Sequence, residues 1–210
     1  MRNLTISLID SDEKIMKDLH SALATEVTNL MFKVRAKIGF EIAARAYYWL
    51  LDSPEIQSLE SSAVGSLAAQ FGIPLGSQLA VQQKIIEAIV KSIKVDIYKA
   101  TNTLDGIILD ISSQPMDFRN LLNMKEADID IGHRKLNWLR WLLTEGTSII
   151  VVGYRYSPEA GIGRSKGGIM IEKGNWRVPP EFAGTEENNF ITRAFSNREI
   201  EISRIVEGAL

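Results

Sequence analysis

Only a few residues in this sequence have the types and spacing from which a metal or catalytic site could be built. His133 follows Asp128 and Asp130 in an Asp-x-Asp-x-x-His string. Carboxylate oxygens and an imidazole nitrogen at such spacing are able to hold a divalent metal ion. The string lacks the glycine and the terminal glutamate of a calcium loop, and aspartates are also common where a helix begins. We therefore expect an acidic loop that leads into a helix, with no metal site.

Nucleophilic chemistry has little support in the composition. The sequence contains no cysteine, which excludes thiolate nucleophiles, zinc–thiolate sites and disulfides within these 210 residues. A Ser-His-Asp arrangement would have to draw its base from His20 or His133, the two histidines of the chain. His20 lies among charged residues and is expected at the surface. We expect a protein that is not an enzyme and that uses no cofactor.

A glycine-rich segment, residues 161–168, combines four glycines with Arg164 and Lys166. Converging backbone N–H groups of such a segment can bind phosphate. The segment does not fit the G-x-x-x-x-G-K-[ST] phosphate loop. A predicted strand follows it, whereas a helix follows the Rossmann fingerprint. The pattern favours the exposed tip of a β-hairpin.

Basic residues are concentrated around this predicted hairpin. Residues 150–180 contain five basic side chains against Glu159 and Glu172, a local charge of +3 in a chain of net charge −2. Such a patch is either an ordinary solvated face or a contact for a partner's acidic surface or the DNA backbone. The five candidate contact residues are Arg155, Arg164, Lys166, Lys173 and Arg177.

A long helix is the strongest structural signal. Asp10 is a candidate N-cap, and apolar residues then recur in steps of four and three as far as Trp49. Ser53-Pro54 ends the pattern, because a residue that precedes proline disfavours helix. Residues 11–52 would span about 60 Å, whereas a compact chain of this size has a radius of gyration of about 17 Å. The helix must therefore project, break near Gly39 or pack along a neighbouring molecule.

The apolar stripe of this helix supplies candidate residues for packing between subunits. They are Leu19, Leu23, Val27, Leu30, Val34 and Ile38.

The remaining patterns predict an α+β fold with a small antiparallel sheet of two hairpins flanked by helices. Helices are expected at 54–61, 66–71, 78–92, 135–144 and 188–208, and strands at 93–99, 106–111, 147–156 and 168–173. Residues 100–103 read as a turn, and residues 112–132 as a long loop with a little structure. Trp138 and Trp141 share a helix face, which favours core packing and leaves base stacking as an alternative. We divide the chain into a helical subdomain, residues 1–92, and an α+β domain, residues 93–210.

The overall composition fits a soluble globular protein. Apolar residues make up 45% and charged residues 24%, and 24 basic residues nearly balance 26 acidic ones. This balance disfavours a strongly basic nucleic-acid binder. The apolar run at residues 4–9 is too short for the core of a signal peptide, and the run at 149–152 is far short of a membrane span. We expect assembly in the cytoplasm without a membrane.

A series of short segments stands in a recognisable order. In the C-terminal third they are LNWLRWLL at 136–143 with Gly146, IIVVGY at 149–154, GRS at 163–165, WRVPPEFAGT at 176–185 and NNFITRA at 188–194. SPEI at 53–56 and FGIP at 71–74 precede them. The series resembles structural proteins of tailed bacteriophages, of the neck or tail-completion (head–tail connector) kind. NNFITRA lacks the proline that the family has before its last helix.

This resemblance implies a virion structural protein at the head–tail junction, assembled in the host cytoplasm. The expected form is a homo-oligomeric ring that joins the capsid connector to the tail. The expected partners are further copies of the chain, neighbouring portal or adaptor and tail proteins, and packaged DNA in passing.

Two further expectations accompany this interpretation. An extended docking arm would carry Trp176, Pro179, Pro180 and Phe182, or the same residues would pack in the monomer's own core. The alternative function is a nucleic-acid-binding module that uses the basic glycine-rich hairpin.

Overall fold

The computed structural model describes residues 10–98, 108–113, 115–131 and 134–210. Helices in these ranges are α1 (Asp12–Leu51), α2 (Pro54–Glu60), α3 (Leu67–Phe71), α4 (Gln78–Ser92), α5 (Pro115–Leu122), α6 (Trp138–Leu143), α7 (Phe190–Phe195) and α8 (Glu199–Ala209), with a 3₁₀ turn at Lys125–Ala127. Strands are β1 (Ile93–Tyr98), β2 (Ile108–Ser113), β3 (Asp128–Ile131), β4 (Arg134–Asn137), β5 (Val151–Ser157) and β6 (Ile169–Trp176). The α+β fold class is confirmed.

Helix α1 forms without interruption. Ser11, rather than Asp10, is its N-cap, because the Ser11 hydroxyl accepts a hydrogen bond from the Lys14 backbone N–H at 3.3 Å. Asp10 instead forms an ion pair with the Lys14 side chain at 2.6 Å. The helix continues through Gly39, so the alternative of a break there does not hold, and a β-carbon at this position would make an ordinary 3.7 Å contact with Val95. Its 40 residues correspond to about 60 Å.

The described strands form three separate two-stranded antiparallel sheets, β1–β2, β3–β4 and β5–β6. The expectation of a single sheet built from two hairpins was therefore wrong. Representative pairs are Val95 with Ile111, Ile129 with Leu136, and Tyr154 with Glu172. The turn expected at residues 100–103 lies outside the described residues.

Two sequence predictions in the second half of the chain need correction. Residues 112–132, expected as a long loop with a little structure, contain α5, the 3₁₀ turn and strand β3, and so are more regular than expected. Residues 135–144, expected as one helix, begin in strand β4. Helix α6 starts at Trp138, and its N-cap is Asn137, whose side-chain oxygen accepts a hydrogen bond from the Arg140 backbone N–H at 2.8 Å. The closing helix divides into α7 and α8 at residues 196–198, where Asn197 has a left-handed φ of 60°.

The main hydrophobic core joins residues from both proposed domains. It packs Leu50, Ile56 and Ile86 with Leu142 and Phe190. The boundary at residue 92 therefore does not separate two cores. A second cluster packs α1 against β1 and α8, and its buried members are Met31, Ile38, Ile42, Val95, Ile97, Ile205 and Ala209.

Aromatic rings tie the β5–β6 hairpin to the helices. The Phe71 ring lies 5.0 Å from the Trp138 ring and 5.8 Å from the Trp176 ring, between centroids. Trp138 is buried, and its indole N–H donates to the Glu126 carbonyl at 2.9 Å. Core packing, rather than base stacking, is therefore the role of Trp138. Among the helices of the described ranges, none has the length and apolar character needed to cross a membrane.

The ion pair between Lys84 on α4 and Glu126 in the 3₁₀ turn makes stability depend on pH. Hydrogen bonding from Lys84, and then from the Glu126 backbone, lowers the pKa of Glu126 below its ordinary value. A carboxyl group with a lowered folded-state pKa stabilises the fold above its unfolded pKa of about 4.3, and this contribution disappears as pH falls through the folded-state pKa.

Glu126→Gln should therefore lower the free energy of unfolding at pH 7 by up to about 1 kcal/mol, because the pair is partly exposed. The difference from the wild type should shrink as pH falls below about 4.3. Urea unfolding at several pH values checks this. Glu87→Gln removes the more exposed pair with Lys91 on the same helix and is the control. A constant difference across pH would contradict the assignment.

Candidate assembly surface

The N-terminal half of α1 carries an apolar stripe that faces solvent. Five of its side chains are between 38% and 50% exposed. They are Ile15, Leu19, Leu23, Val27 and Leu30. Neighbouring Met16 adds to the same surface at 48% exposure. A contiguous apolar surface of this kind is typical of an interaction site.

The predicted stripe does not stay on one face of α1. Steps of four residues advance it by about 40° each around a helix with 3.6 residues per turn. The stripe therefore starts on the solvent side and turns into the core beyond Leu30. Val34 is half-buried against the second cluster, and Ile38 is fully buried in it. These two residues pack within the chain, so assigning them to subunit packing was wrong. Leu19, Leu23, Val27 and Leu30 remain available.

The five predicted basic contact residues are all exposed at their positions in or beside the β5–β6 hairpin. Arg155 lies on β5 and Lys173 on β6, close to a bulge where the pairing register shifts between Val152 and Tyr154. Lys173 has a φ of 146°, in the region that favours glycine. Arg164 and Lys166 lie in the connecting segment, and Arg177 follows β6. The structure therefore places these charges where a partner could contact them.

The glycine-rich segment is not the freely exposed tip that the sequence predicted. The Leu75 backbone N–H donates to the Arg164 carbonyl at 3.2 Å. Ser165, Gly167 and Gly168 are buried against α3 and neighbouring backbone, whereas Ile162 is 81% exposed. Small residues allow this close approach. The segment is therefore a docked loop with an exposed rim.

Residues 163–167 also spell G-x-S-x-G, a pattern that the sequence interpretation missed. In hydrolases that pattern places an exposed serine on a sharp turn between a strand and a helix. Here Ser165 is 1% exposed, its hydroxyl lies 3.5 Å from the Ala69 carbonyl, and strand β6 follows. The serine is therefore built in as a packing and hydrogen-bonding residue, not as a nucleophile elbow.

The packing of this loop can be tested at Gly167. A β-carbon there would lie 2.6 Å from the Ala69 β-carbon, far inside normal contact distance. Gly167→Ala should lower the free energy of unfolding by about 1–3 kcal/mol through overpacking. Gly208→Ala is the control: its β-carbon meets nothing within 4 Å, and alanine near the end of α8 should leave the stability unchanged or raise it slightly. Chemical denaturation measures the free energy of unfolding of both variants. If the denaturation midpoint of Gly167→Ala equals that of the wild type, the loop is not docked as described.

The predicted docking arm is largely part of the chain's own core, the alternative the sequence left open. Trp176 ends β6, is 5% exposed and donates its indole N–H to Gln70 Oε1 at 3.1 Å. Phe182 is half-buried against the main core. Pro179 is partly buried, and Pro180 is exposed. The placement of Trp176 and Phe182 on an extended arm was therefore wrong, because the Phe71 and Trp141 rings contact Trp176 and the main core packs against Phe182.

A groove opens beside this aromatic cluster, between α3, the β3–β4 pair and the β5–β6 hairpin. Its volume is about 790 Å³, within the range of known ligand pockets. The walls include Phe71, Trp141, Val152 and Met170, with Arg164 at the rim. We call this the aromatic groove. Sequence reasoning missed it, because its walls come from segments far apart in the chain.

The acidic string predicted as a loop lies partly in regular structure. Asp128 and Asp130 are in β3, and His133 lies outside the described residues. The described part of the chain holds no group of three or more histidine, aspartate or glutamate residues placed to bind a metal ion.

Comparisons of the chain with protein-family models, with curated proteins and with solved structures found no match.

Proposed function

We propose that this chain is a structural protein of a tailed-phage virion, which forms a ring at the head–tail junction and joins the capsid connector to the tail. The exposed stripe on the N-terminal half of α1 carries the proposal. A large apolar surface on a projecting helix is stable in water when a neighbouring molecule covers it. The ring would act by geometry, capping one assembly and offering a surface to the next.

Two other observations support the proposal. The order of segments from LNWLRWLL to NNFITRA resembles that of neck and tail-completion proteins. The basic residues Arg155, Arg164 and Lys173 are exposed, and in such a ring they could contact a neighbouring portal, adaptor or tail protein or passing DNA.

Negative-stain images of the purified chain test this function. We expect closed rings with a central channel, because copies joined through two different surfaces form a cyclic assembly when the rotation closes. Images that show isolated particles of single-chain size at every concentration would contradict the proposal.

A nucleic-acid-binding module is the second candidate, and the exposure of all five basic residues favours it. Binding through phosphate contacts should weaken steeply between 50 and 200 mM salt. A DNA filter-retention assay at both concentrations checks this, with Arg155→Gln/Lys173→Gln as the variant that should bind less. Absent or salt-independent retention would remove this candidate.

A further inference from the structure

A ring of more than two copies needs two different surfaces on each copy, since head-to-tail contacts generate rings. We infer that the exposed stripe of α1 docks in the aromatic groove of the next copy. This inference rests on the proposed ring. It adds the identity of the second surface, which the ring proposal leaves open.

The shapes of the two surfaces suit a helix bound in a groove. Helices recognised in this way present apolar anchors at i, i+3, i+4 and i+7. Met16, Leu19 and Leu23 have the i, i+3 and i+7 spacing, and Leu23, Val27 and Leu30 have the i, i+4 and i+7 spacing. The groove offers aromatic and aliphatic walls and a volume of about 790 Å³. Several side chains from one helix face can therefore enter it.

The charges of the two surfaces are complementary. Residues 10–30 carry five acidic side chains against two basic ones, a net charge of −3. Residues 150–180, which supply much of the groove's lining, carry +3 as a segment, although Arg155, Lys166, Lys173 and Arg177 do not line the groove itself. Arg164 lines the groove, and Lys166 is exposed two positions further on. Opposite potentials steer two surfaces together and fix their register.

Glu26 makes a symmetric pairing of two stripes a poorer solution. It lies three residues after Leu23 and four before Leu30, so it belongs to the same helix face. Two stripes packed on each other would bury this carboxylate against apolar side chains or against its own copy. The lining of the groove, in contrast, includes the positively charged Arg164. The groove of a neighbouring copy is thus the better partner for the stripe.

Engineered cysteines test this contact, and the absence of native cysteines makes each introduced thiol unique. Leu23→Cys and Val152→Cys proteins, one of them carrying a tag that separates the possible dimers by mass, are mixed and oxidised mildly. The control pair is Leu23→Cys with Ile200→Cys. Ile200 lies on α8 and does not line the groove, and its exposure of 70% is close to the 78% of Val152, so the two introduced thiols are similarly accessible.

We expect the 23–152 disulfide to exceed the 23–200 product by roughly tenfold or more, because docking raises the effective concentration of the two thiols. A 23–152 yield no higher than the control, or a dominant 23–23 product, overturns the inference. If the 23–152 disulfide does not form but the wild type still forms rings, the ring proposal stands without this contact. If the disulfide does not form and the wild type forms no rings, the contact and the ring proposal both fail. Strong 23–152 coupling without rings supports the contact and overturns the closed ring.

Discussion

Leu23→Glu should leave the chain folded and abolish its self-association. Leu23 lies in the middle of the exposed stripe and is 46% exposed, so the monomer has little packing there to lose. Surface substitutions of this kind change the free energy of unfolding by less than about 0.5 kcal/mol. In an assembled interface, the carboxylate would be buried among apolar side chains. We expect a loss of roughly 2–4 kcal/mol of association free energy, the range of interface hot spots.

The measurement is sedimentation of the variant and the wild type at matched concentrations. Ile200→Glu is the matched control, because it places the same charge on an exposed apolar site of another helix. The control should assemble like the wild type. An assembled Leu23→Glu variant with normal thermal stability would show that the stripe is not an interface.

Arg193→Met should be the most destabilising of the substitutions proposed here. Arg193 on α7 forms an ion pair with Glu55, the second residue of α2, whose side chain is 2% exposed. Glu55 Oε1 accepts the hydrogen bond from Arg193, and within the described residues Oε2 has no hydrogen-bond partner. Removing the arginine leaves a buried carboxylate without its counter-charge. Breaking a buried pair in this way costs about 3–5 kcal/mol.

The control for this prediction is Glu55→Gln, alone and combined with Arg193→Met. Glutamine keeps the volume and removes the charge, and Arg193 is 39% exposed and remains partly solvated when its partner is lost. The double variant should therefore be more stable than Arg193→Met alone. Urea unfolding of the four proteins gives the coupling free energy. A loss below about 1 kcal/mol for Arg193→Met would mean that the pair does not hold α7 to α2.

The helices of the first half of the chain were predicted to within about a residue or two because local chemistry sets their ends. Ser11 caps the start of α1 with its side chain. Pro54 starts α2 because its φ is fixed at a helical value. Gly72 ends α3 in the left-handed conformation. Helix α4 was predicted at residues 78–92, its observed bounds. These signals lie within a few residues of the positions they control.

The second half of the chain was less predictable because tertiary contacts decide its short elements. Strand β4 precedes α6 since Leu136 pairs with Ile129, a contact that helical periodicity at 135–144 conceals. Trp176 resembles part of an exposed arm in sequence, yet Phe71, more than a hundred residues earlier, holds it in the core.

The candidate site was predicted in part. The apolar stripe was found from its spacing, but its rotation into the core beyond Leu30 follows from helix geometry and from the packing of β1 on α1. The basic residues were found from composition. The aromatic groove was not found, because its walls meet only in the folded chain. Glu55 gave no signal, since an acidic residue after a helix-starting proline is common.

The native mass of the wild-type chain, measured by sedimentation over a range of concentrations, tests the central claim most directly. In the proposed ring, further copies of the chain cover the exposed stripe of α1. We therefore expect a mass that is a multiple of the 23.4 kDa monomer and larger than a dimer. A mass of one chain at the highest attainable concentration would contradict it.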